Sequence, residues 1–432
     1  MVPAKDLHVQ VGNAMHEFAS ELYPLCRSIT GNGLRETLRR IQRRIPLDVH
    51  EVRTGTQVFD WTVPKEWNLR NAYVKNEAGE VVIDFTSSNL HVVNYSVPVR
   101  TRMSLEELKP HLYSLPEHPD WVPYKTSYYK NAWGFCLPHR QLEAFPPGQY
   151  EVVIDSSLED GSLSYGECYV EGESRDEILI SCHVCHPSLC NDNLSGIAVS
   201  TFLADRLRER QRRYSYRFLF VPGTIGSITW LARNENIISR IKHGLVISCV
   251  GDGGAFTYKR SRRGDAEIDH VVEHVLKHKA EGYRLREFAP YGYDERQYCS
   301  PGFDLPVGAL SRTPHSEFPQ YHTSADDLNF IRPQYLAESL DVYLAISNVL
   351  EQNRRYQNQS PKGEPQLGKR GLYRQMGGKT DQPLNEFAML WVLKQSDGSH
   401  SLLDIAQKSG LYFGVISEAA RKLETVGLLR LS

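Results

Sequence analysis

The sequence predicts an α/β protein: a mostly parallel mixed sheet flanked by helices, with a small inserted β-rich domain and a C-terminal winged helix-turn-helix. Three observations predict it. First, "EILISCHV", "YRFLFVPG" and "HGLVISCVG" are strand-like, and "LSGIAVSTFLADRLRERQ" and "GSITWLARNENIISRIKH" between them are helical. Such alternation implies βαβ crossovers and parallel pairing. Second, from about residue 52 the runs "QVFDWTV", "NAYVKN", "VVIDFT" and "HVVNYSVPV" are short, β-branched and aromatic, with turn residues between them. Third, the last fifty residues read helix, helix, a turn at Ser409-Gly410, helix, then a short apolar end.

In chain order, residues 5–45 carry apolar residues at spacings of three and four in "MHEFASELYPLC" and "GLRETLRRIQRRI", which predicts two helices. "SITGNG" between them is a turn. "QYEVVIDSSL" and "GSLSYGECYV" are strand-like, and "EIDHVVEHVLKHK" and "PQYLAESLDVYLAISNVLEQNRR" are long amphipathic helices. Residues 355–382 are polar and rich in Gly, Pro, Lys and Gln, which marks a linker. The expected organisation is an α/β domain from 1–50 and 126–355, an insert at 51–125, a linker at 356–382 and a winged helix at 383–432.

With 432 residues, 41% of them apolar, the chain buries a real core and divides into two to four domains. Its net charge of −2 argues against a dedicated nucleic-acid binder. No run of eighteen apolar residues is present, and "MVPAKDLHVQ" lacks an apolar signal region. A cytoplasmic protein without membrane contact is expected, and its eight cysteines are expected as thiols.

The chemistry concentrates in "SCHVCHPSLCNDNLSG", residues 181–196. His183 falls just past a predicted parallel strand, where open α/β sheets place their sites. Asp192 opens the next helix nine residues later and reaches back toward it. An imidazole and a carboxylate at a strand end are good zinc ligands. His322 in "YHTSADDL" is the best third ligand, with Asp326 or Asp327 to orient it. The bland alternatives are a loop in which Asp192 or Asn191 caps the helix, and a packed Cys185.

These motifs, "H-x-x" leading to "N-D-N-L-S-G" and a late "Y-H-T-S-x-D", resemble the aminopeptidase-like zinc exopeptidases. That group includes di-zinc aminopeptidases, glutamate carboxypeptidases and single-zinc glutaminyl cyclases. With "WTVPKEW" and "YYKNAWGFCLP" in an insert and a winged helix at the end, the whole chain resembles bacterial aminopeptidase-like proteins of unknown function. The resemblance implies that His183, Asp192 and His322 match metal ligands. It also shows departures. Cys185 stands where the peptidases carry an aspartate. Gly223 and Thr224 stand where they carry a general-base glutamate and a ligand glutamate. Ser248 stands near a further ligand aspartate.

The expected activity is therefore zinc-dependent hydrolysis of peptide or amide bonds at a single-zinc remnant of a di-zinc site. His183 or His186 would bind with Asp192 and His322, three protein ligands and water being the usual catalytic count. Glu317, Asp252, Asp294 and Glu295 are unranked substitutes for the general base. Arg262 and Arg263 are candidates to grip a substrate carboxylate, unless they merely line a solvated loop, and Tyr298 joins the substrate-binding set. The aromatic strip "WVPYKTSYYKNAWGF" is core or a substrate wall. Two other readings remain open: a non-catalytic binder of a peptide or metabolite, and a transcriptional regulator. In the last predicted helix Glu418 and Glu424 offset Arg421 and Lys422, so a docking or packing role, including a protein partner or homo-oligomer, outweighs DNA binding.

Overall fold

A computed structural model describes residues 4–372 and 383–432. The central sheet has eight strands: β1 (Asp48–Arg53), β2 (Ser162–Val170), β3 (Glu177–His183), β4 (Ser215–Val221), β5 (Ile241–Ile247), β6 (Phe256–Lys259), β7 (Tyr283–Arg286) and β8 (Val307–Ser311). Their order is β1-β2-β4-β3-β5-β8-β6-β7. β4, β3, β5 and β8 run parallel, while β1, β2 and β6 add antiparallel pairings. Every residue of β3 and β4 is buried. A parallel strand covered on both faces must be apolar throughout, which is why "EILIS" and "YRFLFV" read as continuous runs. Two charged residues interrupt those runs and pair with each other: Arg217 donates to Glu177 through Nε at 2.6 Å and Nη2 at 2.9 Å, and it also pairs with Glu167.

The chain forms two compact units, Met1–Ala266 with Tyr283–Asp341, and Glu267–Gly282 with Val342–Ser432. The boundaries differ from those expected. Asp48–Arg53 is an edge strand of the central sheet, and Gln149–Glu159 belongs to the insert. The insert's four-stranded antiparallel sheet runs Val81–Asp84, Glu66–Lys75, Gln149–Glu159, Val99–Ser104. Gln149–Glu159 alternates exposed and buried residues at its start, as a half-covered antiparallel strand does. Its inward residues Tyr150, Val152 and Ile154 join Ala72, Val74, Ile83 and Phe135 in the insert's own core. The expected break at residue 126 cuts through this module because its last strand lies far along the chain.

In the second unit, helices Pro383–Gln395, Leu402–Ser409 and Phe413–Thr425 form the winged helix with a three-stranded sheet. The middle strand of that sheet is Arg355–Asn358, which the composition had placed at the start of the linker. Pairing on both sides accounts for its order despite polar side chains. The rest of the expected linker is described to residue 372, and 373–382 lie outside the described residues. Helix Leu402–Ser409 begins with a capping box between Ser401 and Asp404 and ends at Gly410 in the left-handed region, φ 71°.

Helix Glu267–Lys279 also belongs to this unit, and His274 on it accepts the backbone N–H of Phe413 through Nε2 at 2.9 Å. Only neutral imidazole can accept there. Burial, and then the nearby His278 and Lys277, push the His274 pKa down to about 4. Because protonation favours the unfolded chain, the stability His274 contributes is full above its unfolded pKa near 6.5. It is lost as pH falls toward about 4, by roughly 3 kcal/mol. His274→Gln is expected to flatten that acid limb in urea melts of the full chain. An unchanged slope between pH 6.5 and 4 would show that His274 does not couple protonation to folding.

Candidate metal centre

His183 is the last residue of β3, and the chain then loops through His186 into a tight turn at Cys190–Ser195 before helix Gly196–Arg208. The Asp192–Asn193 peptide bond is cis. The asparagines flanking Asp192 fix this turn to the segment after β5. Asn191 Oδ1 accepts from Gly251 N at 2.9 Å, and Asn193 Oδ1 accepts from Cys249 N at 3.3 Å and Gly196 N at 3.2 Å. The helix start is thus served by Asn193, and the Asp192 carboxylate is left for other partners.

Those partners are imidazoles. Asp192 Oδ1 lies 2.8 Å from His183 Nε2, and Oδ2 lies 3.1 Å from His186 Nδ1 and 3.0 Å from His322 Nε2. The ligand atoms of His183, His186 and Asp192 lie within 4.8 Å of one another. Tyr293 adds a fourth contact, donating its hydroxyl to Asp192 Oδ1 at 2.7 Å. Asp192 and His183 are buried, and His322 remains partly open to solvent. Burial raises the Asp192 pKa, but His186 and His183 beside it outweigh that and hold the carboxyl well below its ordinary range. For His186, burial pulls down and the Asp192 charge pulls up harder, leaving it above its usual value.

Aromatic rings set the imidazole planes. Tyr293 stacks on His183 at 4.5 Å between centroids, and Tyr321 stacks on His322 at 3.9 Å. Tyr124 packs edge-on against His186 and His322 at 5.4 and 5.1 Å. The aromatic strip of the insert therefore supplies part of the site wall. Beneath Asp192, Asp326 accepts Asn191 N at 2.6 Å and Asp192 N at 3.0 Å. It orients the turn that carries Asp192 rather than His322, and burial pushes its pKa up to about 8. Asp327 instead accepts the backbone N–H groups of Asn329 and Phe330.

The structure brings His183, His186, Asp192 and His322 together and gives the other expected residues other partners. Tyr298 is fully buried, its hydroxyl 2.9 Å from Ser181 Oγ, so it offers no surface to a substrate. Arg262 and Arg263 both pair with Asp304, at 2.7 and 3.3 Å. Glu317 is held by Arg284 at 3.1 Å and by Arg286. Asp252 accepts Gly254 N at 3.0 Å and the Thr313 hydroxyl. Asp294 accepts Thr224 N and Ser227 Oγ, both at 2.8 Å, and Glu295 pairs with Lys259. Burial pushes the Asp294 carboxyl up despite those donors.

Cys185 is buried, receives Gly223 N at 3.3 Å, and burial pushes its thiol up to about 12. It packs as a thiol. Gly223 is not in the left-handed region; its neighbour Thr224 is, at φ 66°. A tight turn there therefore does not require glycine at 223. Tyr293 and Asn193 were missed from the sequence. Only the stretch "YGYDERQYCS", which carried Asp294, Glu295 and Tyr298, pointed near Tyr293.

A single carboxylate ringed by three imidazole nitrogens has the donor chemistry of a zinc site: borderline nitrogen and oxygen ligands, converging, with supporting hydrogen bonds behind them. With the mixed sheet, this arrangement defines an aminopeptidase-like protein. Residues 16–353 match the family described as "Domain of unknown function (DUF4910)", and the chain belongs to it; residues 354–431 match a winged helix-turn-helix family. A relative from Clostridium acetobutylicum is 56% identical over 98% of this chain and 97% of its own. It bears the provisional name of polysaccharide biosynthesis protein with aminopeptidase-like domain. A crystal structure from the same organism, titled provisionally as a peptidase, superposes with a TM-score of 0.94 at 53% identity over 98% of this chain and 97% of that one. A zinc aminopeptidase from Bacillus subtilis shares the fold, with a TM-score of 0.56 at 13% identity over 78% of this chain and 93% of that one. Among the described residues no helix is long and apolar enough to cross a membrane.

Proposed function

We propose that the chain is a zinc-dependent hydrolase of amide or peptide bonds working with one ion. The observation that carries this reading is the convergence of His183, His186 and His322 on the buried Asp192 carboxylate. His183, Asp192 and His322 would hold the ion, with His186 beside them. When bound, zinc supplies a Lewis acid for the substrate carbonyl and lowers the pKa of water. Asp326 keeps the Asp192 turn in place, Tyr293 fixes one carboxylate oxygen, and Tyr124, Tyr293 and Tyr321 hold the imidazole planes and limit water. The relative's name directs the substrate search toward N-acylated amino sugars as well as aminoacyl amides.

The test is turnover of a panel of aminoacyl and N-acyl amides by the zinc-loaded chain. Turnover is expected in the wild type and is expected to vanish in His322→Ala. Gly223 and Thr224, in place of the peptidase glutamates, favour a second reading, a non-catalytic binder. Saturable binding of panel members with no turnover would select it.

The winged helix enters this reading as a packing or docking module. Its last helix has its first N–H taken by His274, and Ser417 on it donates to Gln352 at 2.6 Å. Glu418 pairs with Arg421 at 2.7 Å and with Lys422 at 3.5 Å. A helix so occupied is poorly suited to phosphate contacts, and salt-sensitive DNA binding by the full chain would overturn this assignment.

A further inference from the structure

We propose that His315 is the proton-transfer group of this site, an assignment that rests on the amide-hydrolase reading above. A cavity of about 350 Å³ is lined by His315, Tyr291, Tyr293, Ser248, Arg286 and Glu317, among others. Tyr293 joins this cavity to the metal centre, since its hydroxyl bonds Asp192 and its ring stacks on His183. The His315 ring sits 4.9 Å from the Tyr293 ring, 5.6 Å from Tyr291 and 6.4 Å from Tyr321. Tyr321 in turn stacks on His322.

Three tyrosine rings thus fix the imidazole, and among the described residues no protein group hydrogen-bonds either of its ring nitrogens. His91 Nδ1 lies 2.7 Å from Cys136 O, and His274 accepts from Phe413. His315 is positioned by its faces and edges, and its nitrogens are left for something in the cavity.

The charged groups around it are Glu295, Asp192, Lys259 and Glu317. Burial outweighs the acidic neighbours and holds His315 below its usual pKa, so it is neutral at pH 7 and able to accept a proton. Each of the four carboxylates expected as substitutes for the missing glutamate has at least one oxygen engaged, and the second oxygens of Asp294 and Glu295, Oδ2 and Oε2, have no partner but are buried away from solvent. Glu317 is held by two arginines, Glu295 by Lys259, Asp252 by Gly254 N and Thr313, and Asp294 by Thr224 N and Ser227. His315 therefore takes a proton from the attacking water as the C–O bond forms. It delivers that proton to the leaving nitrogen as the C–N bond breaks, giving a carboxylic acid and an amine with no other reactant.

The test uses acetohydroxamic acid as probe on the zinc-loaded full chain, by calorimetry near neutral pH in two buffers of different ionisation enthalpy. The bound hydroxamate must lose its proton. In the wild type His315 is expected to keep it, so little is released to buffer. In His315→Gln about one proton per ligand is expected in the buffer, with affinity about 10–100-fold weaker, the range for a lost hydrogen bond to a charged group. His315→Phe preserves the ring packing between the tyrosines and removes only the nitrogens; it is expected to behave as the Gln variant does. Unchanged affinity and proton release in a folded, zinc-loaded variant would overturn the assignment, as would a zinc-loaded wild type that does not bind the probe. A chain that binds no zinc fails at the earlier reading, so the two failures are distinguishable.

Discussion

Asp192→Asn is expected to abolish zinc binding by a chain that still folds. Asp192 is fully buried and meets four groups at once: His183 at 2.8 Å, His186 at 3.1 Å, His322 at 3.0 Å and the Tyr293 hydroxyl at 2.7 Å. Its ionised form is favoured because the histidines outweigh the cost of burial. Asparagine keeps the shape but removes the charge, and its NH₂ turns a donor toward positions where an acceptor is needed. Loss of a residue that merely orients a ligand costs about 10–100-fold in metal affinity, so loss of the carboxylate at the centre must cost more. Zinc content after dialysis should fall from about one per chain to a small fraction of that. Asp326→Asn is the graded control. It touches the backbone of Asn191 and Asp192 and no imidazole, so its effect should stay within the about 10–100-fold range. Full zinc content in a folded Asp192→Asn chain would mean that the cluster is a hydrogen-bonded knot and not a metal site.

The parallel character of the central sheet was legible because its inner strands are buried on both faces and so read as mostly apolar runs. The same logic failed at the edges. Asp48–Arg53 is mostly exposed, and Gln149–Glu159 pairs with strands of the insert across a long stretch of chain; neither pairing leaves a mark in local composition. Arg355–Asn358 is polar and still ordered, because both of its neighbours in the winged-helix sheet lie later in the sequence. At the site, the short-range spacing from His183 to Asp192 was readable, since a strand end and a helix start are joined by one loop. His322 was readable only through a motif. Tyr293 and His315 carried no motif, and their role comes from ring packing that sequence spacing does not encode. The carboxylates singled out as bases show a related limit of local reading: a sequence shows an acid but not the arginine, lysine or backbone donor beside it. Arg286 and Lys259, on strands distant in sequence, pair with Glu317 and Glu295.

Gly223→Glu is expected to create or raise hydrolysis while leaving zinc binding intact. In the peptidases that this site resembles, the glutamate at this place takes the proton from water, and glycine has no group to do so. The position accepts a side chain. A Cβ built on Gly223 would meet Cys185 Sγ at 3.5 Å and His183 Cβ at 3.6 Å, ordinary contact distances. Its backbone is outside the left-handed region, so no strain opposes the change. The new side chain would start beside His183, which places a carboxylate near the metal residues without displacing any of them. A positioned general base contributes about 10²–10⁴-fold, and that is the expected gain if the native chain turns over slowly or not at all. The effect should be largest in a His315→Gln background, where the native proton acceptor is gone and the introduced carboxylate would substitute for it. Initial rates on the amide panel, with zinc content and thermal midpoint measured on the same samples, decide the matter. If the variant folds, holds zinc and shows the same rates as its parent in both backgrounds, position 223 does not face the reacting carbonyl, and the correspondence with the peptidase glutamate is wrong.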